Sequence, residues 1–290
     1  MFTGAMVALI TPFQDGEIDF QTLEELIDFQ LNNGIDAIVP VGTTGESPTL
    51  SHDEHKQLIE RIVKIVDGQT PVIAGAGSNS TAEAIELTAF ARKIGADATL
   101  QVTPYYNKPT QEGFYQHFKA IAEEVDLPMV LYNIPGRCGA GMTPDTIIRL
   151  AEVENIVAIK EATGSLDQAS EIAIQCDITI ISGDDSLTLP LASVGGKGVI
   201  SVAANIVPAD VKAMTDLILE GDFASARQWH NKLFTLCKNM LTLATNPIPI
   251  KAAMAMLNMA PEELRLPMTP LEESKKAVLR QTLRNYGLLD

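Results

Sequence analysis

The sequence predicts an α/β protein, a closed (β/α)8 TIM barrel with a C-terminal helical appendage, on three observations. Eight short runs rich in Val, Ile and Ala recur along the chain. Segments of helical period separate them, and after the eighth run only helical segments follow. Near-continuous apolar strands joined by helices indicate a parallel sheet covered by helices, and eight such units match a closed barrel better than an open sheet.

In chain order the runs are MVALITPF, IDAIVPVG, PVIAGAG, ATLQVTPYY, LPMVLYNIP, IVAIKEATG, ITIISGDDS and GVISVAAN. Between the first two, FQTLEELIDFQLNNG places Leu23, Leu26, Ile27 and Gln30 on one helical stripe, with Leu31 beside them, and stops at Gly. After the third, TAEAIELTAFARKIG does the same with Ile85, Thr88 and Ala89. Beyond the eighth run, helical pattern fills residues 207–244, 247–259 and 269–289. Pro247, Pro249, Pro261, Pro267 and Pro270 mark the joints of this part, because proline starts or ends helices. The expected division is a catalytic barrel over residues 1–220 and a helical region over 221–290.

A chain of 290 residues, 46% hydrophobic and 20% charged, can bury a sizeable core. The net charge of -16, with no Lys/Arg cluster to offset it, argues against nucleic acid and against anionic membrane surfaces. The longest apolar stretches are about half the roughly 20 residues of a bilayer crossing. The start, MFTGAMVALITPF, lacks a basic leader and a small-residue cleavage site, so a cytoplasmic protein is expected. Cys138, Cys176 and Cys237 are widely spaced, which argues against a disulfide framework and a thiolate zinc site.

Active sites of such barrels lie at the C-terminal ends of the strands. The second strand ends in GTTGES, a turn able to direct N–H groups and two hydroxyls at one small anion. An ordinary capped turn is the plain alternative. The fourth ends in TPYYNKP and the fifth in YNIPGRCG, with Tyr132 and Arg137. The sixth carries Lys160. By strand alternation Lys160 shares a face with Ala158 and Ile156, while Val157, Ile159 and Glu161 take the other. A lysine head reaching solvent, or pairing with Glu161, is the ordinary reading. Buried at the barrel mouth, the amine would instead lose its proton readily and become a nucleophile for a carbonyl carbon. Schiff-base chemistry also needs a proton donor and acceptor, which a neighbouring tyrosine can be, and a seat for the carboxylate of a 2-oxo acid.

GTTGE, YYNKP, YNIPGR and IKEATGS on successive strand ends, followed by SGDD and GVISVAAN, closely resemble the dihydrodipicolinate synthase family, class I aldolases of the pyruvate-lyase group. The resemblance covers residues 1 to about 220, with a helical tail of the family's kind. It implies condensation of pyruvate with L-aspartate 4-semialdehyde, with Lys160 forming the Schiff base and Tyr132 the general acid/base. Thr43 and Tyr106 would complete a proton relay, Tyr106 coming from the neighbouring subunit of a dimer. Thr44 would hold the pyruvate carboxylate and Arg137 that of the second substrate, with Gly183 and Ile200 lining the pocket. No metal or organic cofactor is implied. The implied assembly is a homo-oligomer, at least a dimer and up to a dimer of dimers.

The resemblance also implies feedback inhibition by lysine, since Ser47, His52, His55, Asn79, Glu83 and Tyr105 match the lysine-sensitive members. A metal pair at His52 and His55 is discounted for want of a third ligand nearby in sequence. Pro48 departs from the small residue expected there; it removes an N–H and fixes φ, which could alter effector affinity. A related aldolase, such as N-acetylneuraminate lyase or a 2-keto-3-deoxy sugar acid aldolase, would share Lys160 and Tyr132. Arg137 disfavours it, because a guanidinium suits a short aldehyde bearing a carboxylate. Nucleotide binding through VIAGAGSNS is disfavoured by Ser80 at the last glycine position, and GGKG at 195–198 reads as a turn before a strand.

Overall fold

A computed structural model describes residues 2–290. Its eight barrel strands are β1 (Gly4–Ala8), β2 (Ala37–Val39), β3 (Ile73–Gly75), β4 (Ala98–Val102), β5 (Met129–Asn133), β6 (Ile156–Glu161), β7 (Thr179–Ser182) and β8 (Gly198–Ser201). They lie in the order β2-β1-β8-β7-β6-β5-β4-β3, with every neighbouring pair parallel. The parallel bridge Ile38–Val72 joins the two ends of that order and closes the ring. The (β/α)8 expectation therefore holds, strand by strand. A two-stranded hairpin, Phe13–Gln14 with Glu17–Ile18, is added after β1.

The strands read as continuous apolar runs because both faces are covered. Met6, Ala8, Val39, Ile73, Leu100, Val130, Ala158, Ile181 and Ile200 fill the interior of the barrel. The outer faces pack against the helices. Where β1 meets β8, Gly4 and Gly198 are register partners, and a Cβ on Gly198 would lie 2.3 Å from the Gly4 carbonyl oxygen. Side chains there would force the two strands apart.

Local sequence sets the helix boundaries. Asp19 caps the helix Phe20–Asn32, accepting from the N–H groups of Gln21 and Thr22. Its buried residues are Leu23, Leu26, Ile27 and Gln30, as the periodicity predicts. Ser51 and Glu54 form a reciprocal capping box on the helix His52–Val66. The helix Thr81–Lys93 corrects one expectation. Its buried stripe is Ala84, Leu87, Thr88 and Ala91, while Ile85 is half-buried and Ala89 exposed. Thr88 is buried as expected, and its hydroxyl accepts from buried Gln101 at 2.8 Å, a polar contact between this helix and β4.

After β8 come helices Pro208–Glu220, Phe223–Thr242, Ile248–Met256 and Glu273–Tyr286. Pro247 and Pro249 sit at the start of the third of these, and Pro261, Pro267 and Pro270 lie in the segment before the fourth. Leu233, Leu236, Met240, Ile250, Leu279 and Leu283 belong to one apolar cluster with Val7, Leu9 and Ile27 of the barrel. No helix among the described residues is long and apolar enough to cross a membrane.

Candidate active site

Two adjacent strands bring the central pair together. Tyr132 on β5 is the register partner of Lys160 on β6, and the Lys160 Nζ lies 4.2 Å from the centroid of the Tyr132 ring. Both are almost wholly buried, at 6% and 4% exposure. Lys160 shares the interior face with Ala158, as alternation predicts. Ile156 does not. The β5–β6 register shifts between Met129 and Val130, so Ile156 joins Ile159 in the outer cluster and Val157 packs towards the inner one. A bulge inserts one residue and reverses the facing of what precedes it. Glu161 points out of the barrel, where it accepts from the Thr163 N–H at 2.8 Å and from Gln168 Nε2 at 3.2 Å. It is therefore engaged with the loop that follows β6.

Burial pushes the Lys160 amine down to about 8, against the pull of the Asp185 and Asp184 carboxylates, which favour the ammonium. Roughly one amine in ten is then neutral at pH 7, compared with one in a few thousand for a free lysine. Burial drives the Tyr132 phenol the other way, upward, opposed by the nearby Arg137 guanidinium and by a hydrogen bond with the Thr43 hydroxyl. Tyr132 is accordingly a neutral phenol able to lend and recover a proton.

Thr43 and Thr44 stand on the turn after β2. The Glu46 N–H donates to the Thr43 carbonyl at 3.2 Å and the Ser47 N–H to the Gly42 carbonyl at 3.3 Å, so these two amides close the turn itself. Thr44 is buried, and its hydroxyl accepts from Asn246 Nδ2 at 3.0 Å. That leaves the Thr44 proton free to donate to an anion. Arg137 lies on a short helix, Pro135–Cys138, and its Nη2 donates to the Asn246 carbonyl at 3.0 Å. Gly183 follows β7, where a Cβ would lie 2.6 Å from that of Ala162. Ile200 is part of the interior wall.

Tyr106 is set apart from these residues. It is 90% exposed, on a left-handed backbone with φ 72°.

A cavity of about 370 Å³ is lined by Thr43 and Arg137 and also by Ser47, His52, Glu83 and Tyr105. All the effector candidates but Asn79 thus open onto the same space as two of the catalytic and binding candidates. Glu83 pairs with His52 at 2.5 Å and accepts from the Ser78 hydroxyl. Asn79 Nδ2 donates to the Tyr105 carbonyl at 3.0 Å. His55 is a wall of the cavity: its Nε2 donates to the Gly75 carbonyl at 2.7 Å, and burial lowers its pKa. Pro48 occupies the first turn of a 3₁₀ helix, Ser47–Thr49, where the missing N–H has no helical partner to lose. Among the described residues no three His, Cys, Asp or Glu side chains come together as metal ligands.

Four residues receive no role from the sequence: Asp184 and Asp185, present only within the SGDD motif, and Asn246 and Lys251. Asp184 and Asp185 follow β7, and Asp185 accepts from the Ser201 hydroxyl and, at 2.9 Å, from the Val202 N–H. Their adjacency at a strand end was the available signal. Asn246 and Lys251 lie about two hundred residues after the turn they touch, and no local pattern marks them. The glycines of VIAGAGSNS have packing roles: a Cβ on Gly75 would strike the Val41 carbonyl, and one on Gly77 the Val102 backbone.

A family model described as the dihydrodipicolinate synthetase family matches residues 1–286. A 4-hydroxy-tetrahydrodipicolinate synthase of Pelobacter propionicus is 53% identical, with the whole of each chain covered. Among solved structures, the chloride-inhibited dihydrodipicolinate synthase of Acinetobacter baumannii complexed with pyruvate is 44% identical, with a TM-score of 0.97 and all of both chains covered. The enzyme of Cyanidioschyzon merolae with lysine bound is 45% identical, with a TM-score of 0.95 and 99% of each chain covered.

Proposed function

The chain belongs to the dihydrodipicolinate synthetase family, and on that premise we propose how its own residues carry out the synthase reaction. It is a lyase-class enzyme that condenses pyruvate with L-aspartate 4-semialdehyde through a lysine Schiff base, giving 4-hydroxy-tetrahydrodipicolinate in the biosynthesis of diaminopimelate and lysine. The single observation that carries the assignment of roles is the buried Lys160–Tyr132 pair, with the pKa of the amine lowered to about 8 by burial.

Lys160 attacks the pyruvate carbonyl carbon, and the nitrogen loses its proton as the carbinolamine hydroxyl leaves as water. Tyr132, with Thr43 behind it, supplies and recovers those protons. The imine then loses a methyl proton to become an enamine, whose carbon attacks the aldehyde of the second substrate. The substrate's own amine finally displaces Lys160 from the imine carbon, which closes the ring and frees the enzyme. Thr44 holds the pyruvate carboxylate and Arg137 the other carboxylate, with Gly183 and Ile200 lining the pocket. Tyr106, turned outward, completes the relay in a neighbouring copy of the chain. Its exposure of an aromatic ring to water supports that assignment.

Residues 1–220 are proposed as the catalytic barrel and 221–290 as its helical region. Pyruvate and aspartate semialdehyde are the substrates, and lysine is the effector, seated by Ser47, His52, Asn79, Glu83 and Tyr105 against the wall of His55. The related synthases complexed with pyruvate and with lysine support both ligands. The proposed assembly is a homodimer that pairs further into a dimer of dimers. Borohydride reduction in the presence of pyruvate, followed by peptide mass mapping, tests the assignment. A three-carbon adduct on Lys160 is expected, and its appearance on another residue or on none would refute it.

A further inference from the structure

Glu46 and Lys251 form an ion pair with almost no access to water, at 3% and 0% exposure. Lys251 belongs to the helix Ile248–Met256 of the C-terminal part, and Glu46 ends the turn that carries Thr43 and Thr44. Each partner is held from a second side. Lys251 Nζ donates to the Glu263 carbonyl at 2.9 Å and sits 4.3 Å over the Phe13 ring, while Glu46 Oε2 accepts from the Arg265 N–H at 3.1 Å. The turn itself is strained. Val41 and Glu46, at φ 53° and 54°, hold the left-handed region at both ends of Gly42–Gly45, and for a β-branched valine that is a true outlier. Such backbones persist only where their surroundings over-determine them.

A buried ion pair is a poor way to gain stability, since apolar residues of similar volume often serve as well or better. What it supplies is one fixed point for the carboxylate. We propose that Lys251 is a positioning residue: through Glu46 it sets the turn on which Thr43 and Thr44 meet the keto acid. The helical region is thereby a working part of the site. Asn246, five residues before Lys251 on the same segment, bonds the Thr44 hydroxyl directly and supports the same role.

The inference rests on the assignment of Thr44 to the pyruvate carboxylate, and the experiment separates the two. Lys251→Met leaves Glu46 charged and unpaired. The double variant Glu46→Gln, Lys251→Met removes both charges, so that folding is retained. In each, kcat/KM for pyruvate is expected to fall about tenfold or more, while the KM for aspartate semialdehyde stays within about twofold. A purely structural pair predicts a lower melting temperature in the single variant, recovery in the double, and both KM values unchanged; that result overturns the inference. Failure of pyruvate to be trapped on Lys160 in the unmodified protein would instead remove the underlying assignment.

Discussion

Lys160 and Tyr132 are direct register partners on adjacent parallel strands, their side chains pointing into the same barrel interior with the amine 4.2 Å from the ring centroid. The pairing puts a nucleophile that must lose a proton beside an acid that keeps its own. Burial acts on both and shifts them in opposite directions, because it disfavours the charged form of each.

The pH dependence follows in sign and position. The reactive form of Lys160 is neutral and its pKa is lowered to about 8, so kcat/KM for pyruvate rises with pH and levels off above about 8. Initial rates from pH 6 to 10 check this. A flat profile across that range would show that amine deprotonation does not limit capture of the keto acid.

The same burial makes Lys160 a cost to the fold. A lysine whose folded pKa lies near 8 against 10.5 unfolded is disfavoured whenever the unfolded chain binds its proton more tightly. Lys160→Met is therefore expected to be inactive and more stable, by about 1–3 kcal/mol at pH 7. The advantage should shrink as pH rises from about 8 through 10.5, above which folded and unfolded forms are both neutral. Denaturant unfolding at pH 7 and 10 measures it.

Tyr132→Phe keeps the ring beside Lys160 and removes the hydroxyl that bonds Thr43. The expected outcome is a loss of about 10²-fold or more in kcat, with pyruvate still trapped by borohydride, though more slowly. Full kcat in this variant would move the proton transfers to another group.

Arg137→Ala removes a cation opposite an incoming carboxylate. The KM for aspartate semialdehyde is expected to rise about tenfold to a hundredfold, by the usual worth of a hydrogen bond to a charged group. Steady-state kinetics with each substrate varied in turn gives the answer. An effect confined to pyruvate would exchange the two carboxylate seats.

Lysine at millimolar concentration is expected to slow the enzyme, and Glu83→Gln to raise the half-inhibiting concentration about tenfold by removing the charge that pairs with an ammonium. Arg137 and Glu83 line one cavity. Rates unaffected by lysine would refute the effector site.

Much of the site was legible because strand ends carry it. GTTGE, YNIPGR and IKEATG each close an apolar run, and barrel geometry sends every such end to one rim. Alternation placed Lys160 correctly with Ala158 but failed for Ile156, since a bulge has no signature in hydrophobic pattern. In Thr81–Lys93 the buried stripe holds the small residues Ala84, Thr88 and Ala91 beside Leu87, and hydrophobic period alone does not single these out over Ile85.

By itself the chain's pattern determined which segments are strands, which are helices, that the sheet is parallel and that eight units close it. Period and burial are properties of consecutive residues, so they survive in one dimension. Only the tertiary structure decided that Tyr132 faces Lys160, that the Asp185 carboxylate acts on the Lys160 amine, and that Asn246 and Lys251 return from the end of the chain to hold Thr44 and Glu46. Those contacts depend on strand register and on how the closing helices pack over the rim. Both join residues far apart in the chain, beyond the reach of any one local run.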